Sequence, residues 1–320
     1  MLTVAINGLG RIGKLLFLMI VKRNDIQVGA INCGIPVIDL PTYLGYDSVH
    51  GGESLDFDII DECNIRVNGK KVSVLDTRDP SNIDWNKYDI DIVLEATGKF
   101  REYQKASQHA CNRILITAPA DEEVPIFCFG VNHKEYNNQH VISAGSCTTN
   151  CVAPLIHALN QHFSIEQINF ITVHASTQSQ PVMDRASRKR TDRSVLNNII
   201  PYSTGASDAV KRLIPDLSNI FGSAVRVPTS DVSMIDMVIV CPEKIYLSDI
   251  LDTVKSNPLY NEVFYIENET LVSSDFRGNT IPCIIDGPGS EQLSSKSVRL
   301  VLWYDNEASY CSQVLKLLLH

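Results

Sequence analysis

No stretch of this sequence stays apolar for long enough to cross a bilayer, so no membrane-spanning helix is expected. The opening residues, MLTVAINGLG, lack the basic segment and following apolar run of a secretory leader, and the cytoplasm is the expected compartment. Positive charge is scarce. The 28 Lys and Arg stand against 37 Asp and Glu, a formal net charge of −9, which is the wrong sign for a chain whose main task is to grip nucleic-acid phosphates. The nine cysteines are scattered, odd in number and without paired metal-like spacing, so reduced thiols are expected and a metal site is not. Internal repeats and low-complexity segments are also missing. What remains is an ordinary globular composition, 44% hydrophobic and 20% charged, in a chain of 320 residues, too long for one compact core and suited to two domains.

The pattern along the chain divides near residue 150. Residues 2–7 read as a short buried strand, followed by a glycine-rich turn, a helix over 14–21 and a second strand over 28–32. Such a βαβ opening favours a parallel sheet. Asn68-Gly69 between β-prone runs predicts a hairpin, and 90–94 and 113–116 read as further buried strands. Beyond 150, longer β-prone stretches at 168–173 and 230–240 alternate with helix-like segments at 153–163 and 208–213. This predicts a sheet with helices on one face, and a final helix over 310–319. The fold class is therefore α/β: an N-terminal Rossmann-type dinucleotide domain plus an α+β domain with a mixed or antiparallel sheet. The basic stretch 187–193 reads as a loop between apolar segments.

Gly8, Gly10 and Gly13 fit the spacing G-x-G-x-x-G, with Arg11 and Ile12 inside it. The first glycine permits a tight turn, the second lets backbone approach a pyrophosphate, and the third lets helix and strand pack closely. The motif follows a strand and opens a helix, the context it needs. The acidic residue that usually ends the second strand and holds a ribose 2′-hydroxyl is replaced by Cys33. That substitution admits NADP beside NAD, and Arg185 or Arg188 could then hold a 2′-phosphate.

The segment 143–154, SAGSCTTNCVAP, places Cys147 among small and hydroxyl residues at a strand-to-helix junction. A helix N-terminus there would lower a thiol pKa and offer N–H donors to an oxyanion. Cys151 reads as a buried structural cysteine.

The Ser-Cys-Thr-Thr-Asn-Cys run at 146–151 and the Asn-Gly-x-Gly-Arg-Ile-Gly run at 7–13 resemble the glyceraldehyde-3-phosphate dehydrogenase family. The resemblance extends through Tyr46-Asp-Ser-Val-His-Gly51, Arg78-Asp-Pro80, Thr172-Val-His-Ala175, Ser203-Thr-Gly-Ala206, Arg226-Val-Pro-Thr229 and Trp303-Tyr-Asp-Asn-Glu307, in the family's order. It implies a cofactor domain over 1–146, completed by a C-terminal helix at 307–320, and a catalytic domain over 147–306. It implies Cys147 as nucleophile and His174 as its base, although His174 taken alone reads as a core histidine. It further implies a substrate-phosphate subsite at Thr177 and Arg226, and an attacking-phosphate subsite at Ser146, Thr148, Thr204 and Gly205. On the cofactor side it implies Arg78 near the adenine and Asn306 near the carboxamide, with Thr117 and Cys33 as further candidates. The implied reaction is reversible oxidation of glyceraldehyde 3-phosphate to 1,3-bisphosphoglycerate, using inorganic phosphate and NAD or NADP, in a homotetramer. Erythrose-4-phosphate dehydrogenase, or a diverged non-catalytic binding member, are the alternatives. Departures from the family pattern include Cys33 for Asp, Ala144 for Asn, the segment 176–181, and Asp208 for Lys.

Overall fold

Short apolar runs separated by turn residues build the first of two units in a computed structural model that describes all residues 1–320. This unit comprises Met1–Phe127 and Lys134–Gly145. Its elements begin with β1 (Leu2–Asn7), α1 (Arg11–Val21), β2 (Ile26–Asn32), α2 (Leu40–Gly45) and the two-residue strands β3 (Tyr46–Asp47) and β4 (Gly51–Gly52). They continue through β5 (Phe57–Asp61), β6 (Asn64–Val67), β7 (Lys70–Leu75), β8 (Ile92–Glu95), α3 (Tyr103–Ala106), β9 (Ile114–Ile116) and β10 (Val141–Ser143). The main sheet runs β10-β9-β8-β1-β2-β7-β6-β5. Pairing is parallel from β10 to β7 and antiparallel beyond it.

The parallel strands are buried on both faces, which is why they read as continuous apolar runs rather than alternating ones. Ile6, Leu16, Phe17, Ile20 and Ile31 lose all solvent contact, each worth roughly 1.5–3 kcal/mol of transfer free energy. The expected hairpin is β6–β7, with Asn68 and Gly69 both at positive φ, 49° and 77°. Two consecutive left-handed residues match the strand twist, which is what selects Asn-Gly there.

The second unit comprises Cys128–His133 and Ser146–His320. Its elements are α4 (Cys147–Asn160), β11 (Gln167–Ala175), β12 (Ile200–Tyr202), α5 (Ala206–Leu213), β13 (Ile220–Val227), β14 (Ser233–Val240), α6 (Leu247–Ser256), β15 (Phe264–Glu267), β16 (Cys283–Ser294), β17 (Ser297–Tyr304) and α7 (Ala308–Leu318). The mixed sheet runs β12-β13-β11-β14-β17-β16-β15. Only β13/β11 and β16/β15 are parallel pairs. One face carries the core: Ile168 and Phe170 of β11, Ile235 and Met237 of β14, and Leu300 and Leu302 of β17 join Val152, Leu155 and Ile156 of α4. The opposite face leaves Ile171 and Phe221 exposed. This agrees with the sheet covered by helices on one side that the sequence predicts.

One boundary differs in a way that matters. The helix expected from residue 153 begins at Cys147. Thr148, Thr149 and Asn150 are poor helix formers taken singly, yet the Ser146 hydroxyl caps the first turn by accepting from Thr149 N at 3.0 Å. All three residues are buried, and burial plus the cap outweigh a propensity deficit of a few tenths of a kcal/mol each.

Candidate active site

In the first unit, strand-end geometry shapes an anion-sized cradle. Gly8 lies at φ +97°, and a Cβ on it would come within 2.8 Å of Thr97 Cγ2. A Cβ on Gly13 would fall 1.9 Å from the Gly8 carbonyl oxygen, so only glycine lets α1 sit this close to the turn. Helix α1 starts after Gly10 with no side-chain cap, which leaves its positive end to be complemented by an anion. These are the features a dinucleotide pyrophosphate needs, and the residues present fit that group.

Arg11, expected at the pyrophosphate turn, donates from Nη1 to Asp47 Oδ2 at 2.5 Å, and Lys14 Nζ lies 3.0 Å from the same oxygen. Burial alone would push the Asp47 carboxyl up. Hydrogen bonds from Arg11, His50 N, Lys14 and Val49 N reverse that and hold it well below the usual carboxylate range. Asp47 is a positioning residue that the sequence reading passed over, although it stands inside the quoted stretch 46–51. Ile12 occupies the second position of α1. Thr117 turns inward, its N–H and hydroxyl both donating to the Glu95 carbonyl at 3.0 and 3.1 Å. Glu95 is fully buried, accepts from Asn7 Nδ2 at 2.5 Å and from Thr97 N at 2.8 Å, and lies 3.0 Å from His109 Nε2. It ties the ends of β1 and β8 together, a role that no spacing pattern signals. Arg78 is exposed in the loop after β7, and Cys33 is buried at the end of β2.

In the second unit, three elements converge. Cys147 is the first residue of α4. His174 lies next to the end of β11, and parallel pairing with β13 places it opposite Arg226. Cys147 Sγ is 3.4 Å from His174 Nε2. His174 Nδ1 is 2.8 Å from the Ala175 carbonyl oxygen, which also accepts from Arg226 Nη1 at 2.8 Å. The Ala175 carbonyl can only accept and favours hydrogen on Nδ1, whereas Arg226 Nη1, which also lies against Nδ1, can only donate; the tautomer with hydrogen on Nδ1 is the one that leaves the Nε2 lone pair facing the thiol. The His174 ring meets Tyr304 edge-on at 6.1 Å. The buried Tyr304 hydroxyl lies 2.9 Å from the Thr148 and Thr172 hydroxyls, bracing α4 against β11 and β17. Tyr304, also within a quoted stretch, is the second positioning residue that sequence reading left without a role.

Burial pushes the Cys147 thiol up, and the Arg226 charge draws it partly back. Burial and then the Arg226 charge pull His174 down to about 3, against a weaker upward pull from the Ala175 carbonyl. Burial thus disfavours the ionised form of both groups, and the site alone holds a neutral imidazole beside the thiol. The shift is also a stability statement. The unfolded chain takes up a proton near pH 6.5 and the folded chain does not until about pH 3, so stability falls as pH drops through that window. Between pH 7.5 and pH 5 the loss from this residue is about 2 kcal/mol. Urea unfolding of wild type and His174→Asn at both pH values should show a smaller acid loss in the variant; equal losses would contradict the assignment.

Arg226 Nε is buried without a hydrogen-bond partner, and its guanidinium stacks 5.0 Å over Tyr202. Thr177, exposed just past β11, holds Gln180 Oε1 through its N–H at 2.9 Å. Ser146 caps α4, whereas the Thr148 hydroxyl faces Tyr304 and is buried. Thr204 Oγ1 accepts from Ala206 N at 3.1 Å, and the exposed Gly205 is the N-cap of α5. Asn306 Oδ1 accepts from Ser233 Oγ at 3.0 Å, and that oxygen accepts from Ala175 N at 3.0 Å. Asn306 is thereby keyed to the strand carrying His174.

Residues 2–103 match the glyceraldehyde 3-phosphate dehydrogenase NAD binding domain, and residues 146–306 match its C-terminal domain. The chain belongs to the glyceraldehyde-3-phosphate dehydrogenase family. It is 40% identical over 330 aligned positions to glyceraldehyde-3-phosphate dehydrogenase 1 of Kluyveromyces marxianus, covering 100% of this chain and 99% of that one. The enzyme of Bacteroides fragilis is 39% identical, with 99% and 98% covered, and that of Buchnera aphidicola 38%, with 98% and 97% covered. Each unit by itself shows part of what the family name describes: a nucleotide cradle in one, and a cysteine, imidazole and guanidinium in the other. No helix of this family member is long and apolar enough to cross a membrane.

Proposed function

We propose that this chain is a phosphorylating glyceraldehyde-3-phosphate dehydrogenase that oxidises glyceraldehyde 3-phosphate to 1,3-bisphosphoglycerate reversibly. The observation that carries the reading is Cys147 Sγ at the head of α4, 3.4 Å from a neutral, buried His174 Nε2 and beside Arg226. His174 accepts the thiol proton as sulfur attacks the aldehyde carbon, and the N-terminal turn of α4 faces the oxyanion that forms. His174 returns that proton to the oxyanion, giving the thiohemiacetal, and takes it again from the hydroxyl as the carbon is oxidised. NAD or NADP would be held at Gly8, Gly10, Arg11, Ile12 and Gly13, with Asn306 as the candidate for its carboxamide, and when bound would supply the hydride acceptor for oxidation to the thioester. Arg226 and Thr177 hold the substrate's phosphate, a task suited to a fork of N–H donors. Ser146, Thr148, Thr204 and Gly205 receive the inorganic phosphate that displaces sulfur and releases the acyl phosphate.

Assembly into a cytoplasmic homotetramer belongs to the same reading. It is supported by the open face of the second sheet, with Ile171 and Phe221 exposed, and by the exposed basic loop before β12. The deciding experiment follows reduced-nicotinamide absorbance with glyceraldehyde 3-phosphate and with erythrose 4-phosphate, with and without inorganic phosphate. Turnover of the three-carbon aldehyde that requires phosphate is the expected result. Phosphate-independent turnover of the four-carbon aldehyde would replace the reading with a hydrolytic one, and no turnover of either would leave a binding protein.

A further inference from the structure

Cys33 removes the carboxylate that would end β2, but the parallel neighbour of β2 supplies another. Strand β2 pairs with β7 with Asn32 opposite Leu75, and the ladder continues one step, with Cys33 N donating to the Leu75 carbonyl at 2.8 Å. The next residue on the β7 side is Asp76. A Cβ placed on Gly34 would lie 3.8 Å from Asp76 Oδ1, so that oxygen faces the loop leaving β2. The segment is fixed on both sides of Asp76. Leu75 is held by Cys33, while Thr77 N donates to Asn32 Oδ1 and Asn32 Nδ2 donates to the Thr77 carbonyl, each at 2.8 Å. Cys33 brings no charge of its own: burial pushes its thiol up, the Ile35 backbone draws it partly back, and the Asp76 charge pushes it up again.

We infer that Asp76 has taken over the specificity role of the missing carboxylate, accepting from the adenosine ribose hydroxyls and repelling a 2′-phosphate, so that the chain selects NAD over NADP. In dinucleotide folds a carboxylate at this edge both bonds the 2′-hydroxyl and excludes the phosphorylated cofactor. Here it is presented from β7 instead of β2, on a segment tied down by the side chain of Asn32. The single change at position 33 therefore does not by itself open the site to NADP. Arg78, two residues further along, is the competing cation, and selection in favour of NADP would assign the position to it.

The inference rests on the nucleotide-binding reading, and its test is direct binding. Calorimetric titration of the full chain with NAD and with NADP should show NAD bound at least about tenfold more tightly, the scale of one unit-charge repulsion at a partly exposed site. Asp76→Asn should narrow that ratio by about tenfold, mainly through tighter NADP binding. Adding Cys33→Asp to Asp76→Asn should restore the NAD preference by returning the carboxylate to β2. Equal or better binding of NADP by wild type, or an unchanged ratio in Asp76→Asn, would overturn the assignment. Failure of both nucleotides to bind would instead remove the cofactor reading beneath it.

Discussion

Cys147→Ser is expected to lower kcat by about four orders of magnitude or more while the protein stays folded and binds its aldehyde phosphate. Serine is smaller by one row of the periodic table and fits the same rotamer at the head of α4, so no cavity large enough to unfold the domain is created. The chemistry is what fails. A hydroxyl is far harder to ionise than a thiol, and its alkoxide is a poorer leaving group when phosphate attacks the acyl carbon. The 3.4 Å contact with His174 Nε2 cannot close that gap, because the imidazole is a weak base pulled down to about 3. Mass spectrometry of wild type after a single turnover without phosphate should show an acyl adduct on the peptide carrying Cys147 and none on Cys151. Cys151 lies one helical turn further along α4, fully buried, with its thiol pushed up by burial. Activity of Cys147→Ser within tenfold of wild type would sink the nucleophile assignment.

The order of elements and the candidate nucleophile were legible because each left a local mark, whereas His174 taken alone reads as a core histidine and its role came only from the family resemblance. Gly8, Gly10 and Gly13 carry a spacing imposed by close approach, and Cys147 stands among residues that cap a helix. The βαβ opening and the sheet covered on one side follow from periods of hydrophobicity that survive in a single sequence, and the β6–β7 hairpin from its Asn68-Gly69 turn. The start of α4 was not legible, because its first turn is stabilised by the Ser146 hydroxyl and by burial of Thr148 and Thr149, neither of which shows in propensity. Tyr304 and Thr172 are 132 residues apart, so the hydroxyl contact that braces β11 exists only through the sheet. Asp76 went unread for the same reason. Its relation to Cys33 is a register between β2 and β7, invisible until the strands are paired. Charge states were the least legible of all. The pattern names a cysteine and a histidine but not their burial or the guanidinium beside the ring, and those two features set the direction of both shifts.

That electrostatic setting decides what His174→Asn should do. With its pKa at about 3, the imidazole stays in its basic form at every pH above that value, so wild-type kcat/KM should show no loss through pH 6.5, where an unperturbed histidine protonates. Above neutrality the rate should rise as the Cys147 thiol, held up by burial, approaches its own ionisation. Asparagine can occupy the same space and offer an amide to the Ala175 carbonyl, but it cannot accept a proton. Loss of a positioned base is worth about 100-fold to 10,000-fold in kcat, and the variant should fall in that range with KM for the aldehyde phosphate little changed. Its residual activity should climb with pH, because hydroxide must now do what Nε2 did. Alkylation of Cys147 by iodoacetamide gives an independent readout: the rate at pH 7 should drop in His174→Asn and recover toward wild type at high pH. A purely structural His174 would give the opposite signature, a melting temperature lowered in step with activity and no change in the pH dependence of alkylation. Arg226 explains why the base is kept so weak. Its guanidinium lies against Nδ1 and opposes the imidazolium, and a phosphate on that guanidinium, as the proposed substrate subsite would place there, would offset the charge. The proton shift from sulfur to nitrogen is therefore most favourable when the phosphorylated aldehyde is already in place.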